Sequence, residues 1–433
     1  MDISSERPTA GADEQAETRN RLLEDSGMVQ KPKAGDLIPD RFIVTLKDQG
    51  QSGNSIVAAK VDQMLNRLKL DPRTQPDTII YKHAINGFSA KLTAAQKQQI
   101  ENDPDVEFVE QDRVVSRPNV SRHPSVHAAN STEFSTGVAR VDGHLSKTAN
   151  APGGVDVDIA IIDTGINLKH PELNVVKDVS FVPGVKTGED DDGHGSHVAG
   201  IIGAKKDGKG IVGVAPGARL WALKVLDKDG NGSWSQIISA IDYVTEHAKE
   251  IEVANMSLGD TDKSQALNRA ITKSVDAGVT YIVAAGNESH DASKSTPSDH
   301  PKVLAVSAIT DGNGKGGGGA DPACEPDEKD DTFATFSNFG KMARLAAPGV
   351  CIDSASKRQG NNVDTYESMS GTSMAAPHVA GAAGLIKAVH PEYKPDKVIE
   401  TLIKHGKAQS DPIYGFSGDP DKFPEPLLNV KDF

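Results

Sequence analysis

Four short segments carry residues able to act on a carbonyl group. Asp163 ends the run 155–163 and is followed by Thr164-Gly165. His194 stands between glycines in Gly193-His194-Gly195-Ser196-His197-Val198-Ala199-Gly200. Ser373 lies in Gly371-Thr372-Ser373-Met374-Ala375-Ala376-Pro377-His378-Val379-Ala380-Gly381. A serine hydroxyl is a weak nucleophile at neutral pH and needs a base to take its proton. Histidine suits that role because its pKa lies near the working pH. A buried carboxylate then fixes the imidazole tautomer and stabilises the imidazolium. The fourth segment, Ala284-Ala285-Gly286-Asn287-Glu288-Ser289, offers a side-chain amide. Asn287 and the Ser373 backbone N–H could together hold an oxyanion. Each residue also has a plainer use: Asp163 or Asn287 in a turn, His194 in a loop, Ser373 as a helix cap. Their placement at strand ends or helix starts, in the order Asp, His, Ser, favours the chemical use.

The elements that must position them alternate. The run 155–163 becomes continuously apolar and suits a central strand. Further strands are expected at 220–226, 253–256, 280–285 and 303–308, and helices at 197–203, 235–248, 263–277 and 373–389. Such alternation specifies an α/β domain, a parallel sheet with helices on both faces, with chemistry at the strand ends. Pro377 is expected in the first helical turn, where its missing N–H costs nothing. The glycine- and acid-rich stretch 312–331 reads as a flexible surface insertion. Glu189-Asp190-Asp191-Asp192 reads as a solvated loop. His194 and His197 are spaced for zinc, but no glutamate completes that pattern.

A smaller domain precedes this one. Strands are expected at 41–47, 78–82, 87–92 and 106–111, and helices at 56–70 and from Thr93-Ala94-Ala95-Gln96, a capping box, to Ile100. The order strand, helix, strand, strand, helix, strand is the ferredoxin-like α+β pattern. The expected division is a disordered leader at 1–35, the small domain at 36–116, an exposed linker with a processing site at 117–134, and the larger domain at 135–433.

Composition narrows the function. The chain has 433 residues, 37% hydrophobic and 25% charged, enough for two globular domains. A formal charge of −14 argues against nucleic acid as partner. No apolar run reaches membrane-span length, and the N-terminus has no apolar signal-peptide core. Cys324 and Cys351 are either one bridge or two inert thiols. Five Asn-x-Ser/Thr sequons, at Asn119, Asn130, Asn231, Asn255 and Asn287, several inside expected strands or turns, carry little weight.

The segments around Asp163, His194 and Ser373 resemble those of the subtilisin family of serine peptidases. The resemblance extends through Gly210-Ile211-Val212-Gly213-Val214-Ala215-Pro216, Asn255-Met256-Ser257-Leu258-Gly259 and Ala285-Gly286-Asn287, and covers about residue 131 to the end. The small domain resembles the family's propeptide, which assists folding, inhibits and is cut off. The resemblance implies a serine endopeptidase with Ser373 as nucleophile, His194 as base, Asp163 as its orienter and Asn287 at the oxyanion. It implies that Gly230-Asn231-Gly232 and Ser257-Leu258-Gly259 bind substrate as an added strand, with Trp234 near a distal subsite. It implies a structural Ca2+ held by Glu172, Asp207 and the carbonyls of Lys205, Lys209 and Ile211. Glu172 departs from the family's more usual Asp. A monomeric, extracellular enzyme is expected, with protein or peptide substrates and its own propeptide as inhibitor. Counting back from Asp163 puts the mature start near Ser131; counting on from the propeptide puts the cut near Pro118. A peptide ligase or a catalytically silent scaffold in the same fold are the alternatives.

Overall fold

The computed structural model describes residues 33–48, 54–72, 75, 77–125 and 133–433. Most of the leader expected at 1–35 lies outside them, as does Ser131.

The first domain is β1 (Leu37–Leu46), α1 (Asn54–Leu68), β2 (Ile79–Tyr81), β3 (Gly87–Lys91), α2 (Ala94–Glu101) and β4 (Val106–Ser116). Its antiparallel sheet runs β4-β1-β3-β2, the ferredoxin-like order. The capping box forms: Thr93 and Gln96 bond reciprocally and start α2. Phe42, Val44 and Leu46 pack with Leu65, Leu68, Phe88 and Ile100 as a core of their own.

β4 runs five residues past the expected end. β5 (Ser121–Pro124) follows at once. The segment expected as an exposed linker is therefore strand-paired over much of its first half. Its partners lie far along the chain, so no local pattern signals them.

The larger domain is built on β6 (Asp158–Asp163), β7 (Val175–Ser180), α3 (His194–Gly203), β8 (Arg219–Lys224), β9 (Asn231–Ser233), α4 (Trp234–Glu246), β10 (Val253–Met256), α5 (Gln265–Asp276), β11 (Thr280–Ala284), β12 (Leu304–Thr310), β13 (Thr332–Phe333), β14 (Ala343–Pro348), β15 (Ile352–Ala355), β16 (Tyr366–Ser370), α6 (Thr372–Val389) and α7 (Pro395–His405). The main sheet runs β13-β12-β11-β10-β6-β8-β7, with β14 also on β12; all pairs but β12–β13 are parallel. Strand periodicity divides the core. Ile159 and Ile161 face the cluster containing Val198, Ile202, Val379 and Leu385 of α3 and α6. Ala160 and Ile162 face Ile237, Ile241 and Leu267 of α4 and α5. Burial on both faces explains why β6 ends as an unbroken apolar run.

The insertion at 312–331 is tied down. Cys324 and Cys351 form a disulfide with Cα atoms 5.9 Å apart. Asp330 accepts from Gly312 N and Asn313 Nδ2, and buried Arg140 pairs with Asp311 and Asp331. Among the described residues no helix is long and apolar enough to cross a membrane.

Candidate active site

β6 ends at Asp163, and α3 begins with His194. Gly193, the residue before α3, has a φ of 111° that side-chain-bearing residues rarely adopt. At Gly195 an added Cβ would lie 2.1 Å from the Gly165 carbonyl, so only glycine lets α3 start this close to β6. The approach brings His194 Nδ1 to 2.8 Å from Asp163 Oδ1, both side chains fully buried. Asp163 Oδ1 also accepts Thr164 N at 2.7 Å. A proton on Nδ1 satisfies this pair and leaves Nε2 as a free lone pair. Nε2 has no hydrogen-bond partner among the described residues.

The acidic run before His194 is not a solvated loop. Asp190 and Asp192 are buried. Asp190 accepts from Thr164 Oγ1, Asp192 N, Gly193 N, Ser196 N and Ser196 Oγ, all between 2.6 and 3.0 Å. It thereby clamps the start of α3, even though burial raises its carboxyl above the usual range. Composition made the run read as solvent-facing; an Asp three residues before Gly193 was the available signal of a side chain folding back on backbone N–H groups.

His197 faces away from His194. Its Nε2 lies 2.8 Å from Ile352 O and 3.1 Å from Glu367 O, so it must donate there. Burial, then the charge of His194, push it down to about 3. The two rings do not form a zinc pair.

Ser373 is the second residue of α6, after Gly371 as cap residue, so it does not cap the helix. Its Oγ donates to Ser257 O at 3.2 Å. Pro377 stands in the second turn rather than the first, because α6 starts at Thr372. Its missing N–H frees the Ser373 carbonyl, which accepts from Ser257 Oγ at 2.9 Å. Asn255 Nδ2 in turn donates to Ser257 Oγ at 3.0 Å. The proline is tolerated because a side chain from β10's end supplies the lost donor.

Asn287 is fixed by Thr372. Its Oδ1 accepts from Thr372 N and Oγ1, each at 2.8 Å, while Thr372 Oγ1 accepts from Gly286 N at 3.1 Å. That aims Asn287 Nδ2 outward, where it donates to the carbonyl of Asn119 at 2.8 Å.

The segment carrying Asn119 crosses the site as an extended chain. Val114, Val115 and Ser116 pair antiparallel with Ser233, Gly232 and Asn231 of β9, and Arg117 N donates to Gly230 O at 2.9 Å. Ser121–Pro124 pair antiparallel with Glu367–Ser370 of β16. Val120 Cγ1 lies against Gly371. Leu258, Gly259 and Pro118 line a cavity of about 30 Å³. This second edge forms no ladder with the segment among the described pairs, and Pro118 has no N–H to offer it. Trp234 is fully buried in the cluster containing Val115.

Glu172 is 1% exposed; its carboxylate accepts Tyr366 Oη at 2.7 Å and Ile211 N at 3.3 Å. Asp207 Oδ1 accepts Lys209 N at 3.1 Å. Two other groups bring three ligand-type atoms within 4.8 Å among the described residues. His123-Cys324-Glu325 spends its sulfur on the disulfide, and Asp311-Asp330-Asp331 is met by Arg140.

The strand-end site and the threaded strand together define a serine peptidase with its propeptide in place. Residues 154–417 match the subtilase family model, and residues 41–117 match that of peptidase inhibitor I9. The chain belongs to the subtilase family and is a serine endopeptidase carrying an inhibitor-type propeptide domain. It is similar to subtilisin NAT of Bacillus subtilis subsp. natto, 35% identical over 73% of this chain and 74% of that one. It is also similar to a cuticle-degrading protease of Metarhizium anisopliae, 32% identical over 86% and 87%. Among solved structures it resembles a cold adapted subtilisin-like serine proteinase, with a TM-score of 0.52 and 30% identity over 67% of this chain and 97% of that one.

Proposed function

We propose that the enzyme is made as a zymogen that cuts its own Asn119–Val120 bond. The observation that carries this reading is the Asn119 carbonyl on Asn287 Nδ2, at 2.8 Å. Ser373 Oγ turns from Ser257 O to His194 Nε2, gives up its proton there and attacks the Asn119 carbonyl carbon. The carbonyl π pair moves onto oxygen, where Asn287 Nδ2 and the Ser373 N–H stabilise it. His194, held by Asp163, passes the proton to the Val120 nitrogen as the C–N bond breaks. Water then releases Asn119 from the acyl-enzyme by the same steps. Peptides in trans add to the β9 edge as residues 114–117 do, with Gly230, Asn231 and Gly232 as the ladder and Ser257, Leu258 and Gly259 as the pocket wall.

The test is N-terminal sequencing with intact-mass measurement. Wild-type protein yields a chain beginning at Val120, and Ser373→Ala stays uncut. Normal processing of Ser373→Ala would overturn the assignment, and a start at Ser131 would overturn the bond.

Calcium belongs to the same reading. Glu172 is buried beside Asp207 and Asp364, with no cationic partner for its carboxylate among the described residues. Its carboxylate, Asp207 and the carbonyls of Lys205, Lys209 and Ile211 form an all-oxygen set suited to a hard cation. Bound there, Ca2+ would supply the positive charge that the buried Glu172 carboxylate lacks and would tie its loop to that of residues 205–211. A melting temperature of Ser373→Ala that rises with added Ca2+ and falls with chelator checks it. The Cys324–Cys351 disulfide supports an oxidising, extracellular location.

A further inference from the structure

Asp192 has a position and a set of partners that positioning His194 does not account for. Its side chain is 7% exposed, and Oδ1 accepts the His194 N–H at 3.1 Å. Both cations on its carboxylate come from the strand in the cleft. Arg117 Nε lies 3.2 Å from Oδ1, and the Arg122 guanidinium donates to Oδ1 and, at 3.0 Å, to the Asp192 carbonyl. Burial raises the Asp192 carboxyl; Arg117 and Arg122 outweigh it and leave the group below its ordinary value. The neighbouring Asp191 is engaged elsewhere, by Lys224. Counted from the Asn119–Val120 bond, Arg117 is third on the acyl side and Arg122 third on the leaving side. Two arginines reach inward from opposite ends over the scissile bond and meet on one carboxylate beside the base.

We propose that Asp192 is a specificity-determining residue that selects peptides carrying arginine three residues before and three residues after the cut. The proposal rests on the reading of Asn119–Val120 as the scissile bond. A buried carboxylate stripped of its cations is costly, so departure of the segment leaves Asp192 in want of a partner. A substrate that returns a planar guanidinium from either side restores charge-assisted hydrogen bonds at the site of reaction. Glu367, 3.7 Å from Arg122, adds a second negative charge on the leaving side only.

The experiment uses the processed enzyme and octapeptides with the sequence of residues 116–123, with alanine replacing the first arginine, the second or both. Labelling of Ser373 by a fluorophosphonate is measured first, and cut positions are read by mass. Each arginine should raise kcat/KM roughly thirtyfold, the scale of one hydrogen bond to a charged group, and the gain should shrink with salt. Asp192→Asn should bring the arginine-to-alanine ratio to within about twofold, Asp192→Glu should keep part of it, and Asp192→Lys should favour glutamate at the same positions. The ratio is the readout because Asp192 also touches the His194 backbone. A labelled wild-type enzyme that cuts all four peptides equally, or an Asp192→Asn variant that keeps the preference, overturns the proposal. Absence of both labelling and cleavage instead overturns the assignment of Ser373.

Discussion

The propeptide meets the peptidase in two regions built on different physics. In the cleft, residues 114–117 are held by a backbone ladder to β9, the Asn119 carbonyl by one amide, and Arg117 and Arg122 by Asp192. On the flank, carboxylates bind backbone N–H groups. Asp242 of α4 collects those of Lys82, His83 and Ala84 at 2.7 to 3.1 Å. Glu110 of β4 takes those of Gln265 and Ala266, and Asp112 takes that of Ser235, so the propeptide caps the first turns of α5 and α4. The ladder asks little of side chains and so suits many substrates. The flank asks for particular carboxylates and so suits one partner. On the propeptide side these flank bonds use residues 82–84, 110 and 112, all before the cut, so cleavage at Asn119 leaves the flank whole. Inhibition should therefore outlast cleavage.

The largest effect expected from separating the regions is at Asn287. Asn287→Ala should lower kcat by about 10²–10³, the cost of one oxyanion donor, with KM little changed. The cleaved propeptide should still bind, because its flank contacts do not involve Asn287. Loss of propeptide binding together with activity would show that the cleft, not the flank, holds the inhibitor.

A smaller effect is expected at Asp242. Asp242→Ala leaves three N–H groups without their shared acceptor. Removing one hydrogen bond to a charged group costs about 2 kcal/mol, roughly thirtyfold in affinity. The variant should therefore regain activity faster after self-cleavage, with kcat on a small peptide unchanged. An unchanged lag would place the binding energy in the ladder.

The same division governs what could be read from the chain. β6, α3, α6 and the first domain's order were legible because local periodicity specifies them. The pairing of Asp163 with His194 was legible because strand ends and helix starts converge in an α/β sheet. Pro377 was misplaced by one turn because the donor replacing its N–H, Ser257, lies 116 residues before the Ser373 carbonyl it serves. The strand pairing of residues 114–116 and 121–124 was illegible for the same reason: the partners lie at 231–233 and 367–370, and the resemblance offered only a cut near Pro118 or a start near Ser131. Asp190 and Asp192 were misread because composition cannot tell a buried acid with five donors, or with two arginines, from a solvated one.

The smallest expected effect lies outside both regions, in the C-terminal segment, and serves as their control. Glu425 is 2% exposed, and its carboxyl is pushed up to about 8 by burial, with Asp419 and Asp421 adding to the rise. Gln409 Nε2 approaches one oxygen at 3.4 Å, and the other has no hydrogen-bond partner among the described residues. Between the ordinary carboxyl value of 4.5 and about 8 the folded chain keeps a proton that the unfolded chain releases. The folded state therefore binds more protons, and stability from this group falls as pH rises through that window. In a Ser373→Ala background, which prevents self-digestion, the melting temperature should drop by a few degrees between about pH 5 and about pH 8. Glu425→Gln should flatten that slope while leaving the propeptide contacts, all distant from residue 425, as they are. A slope that survives the substitution would have to come from carboxyls elsewhere, first Asp311, which burial raises to about 7 beside Arg140.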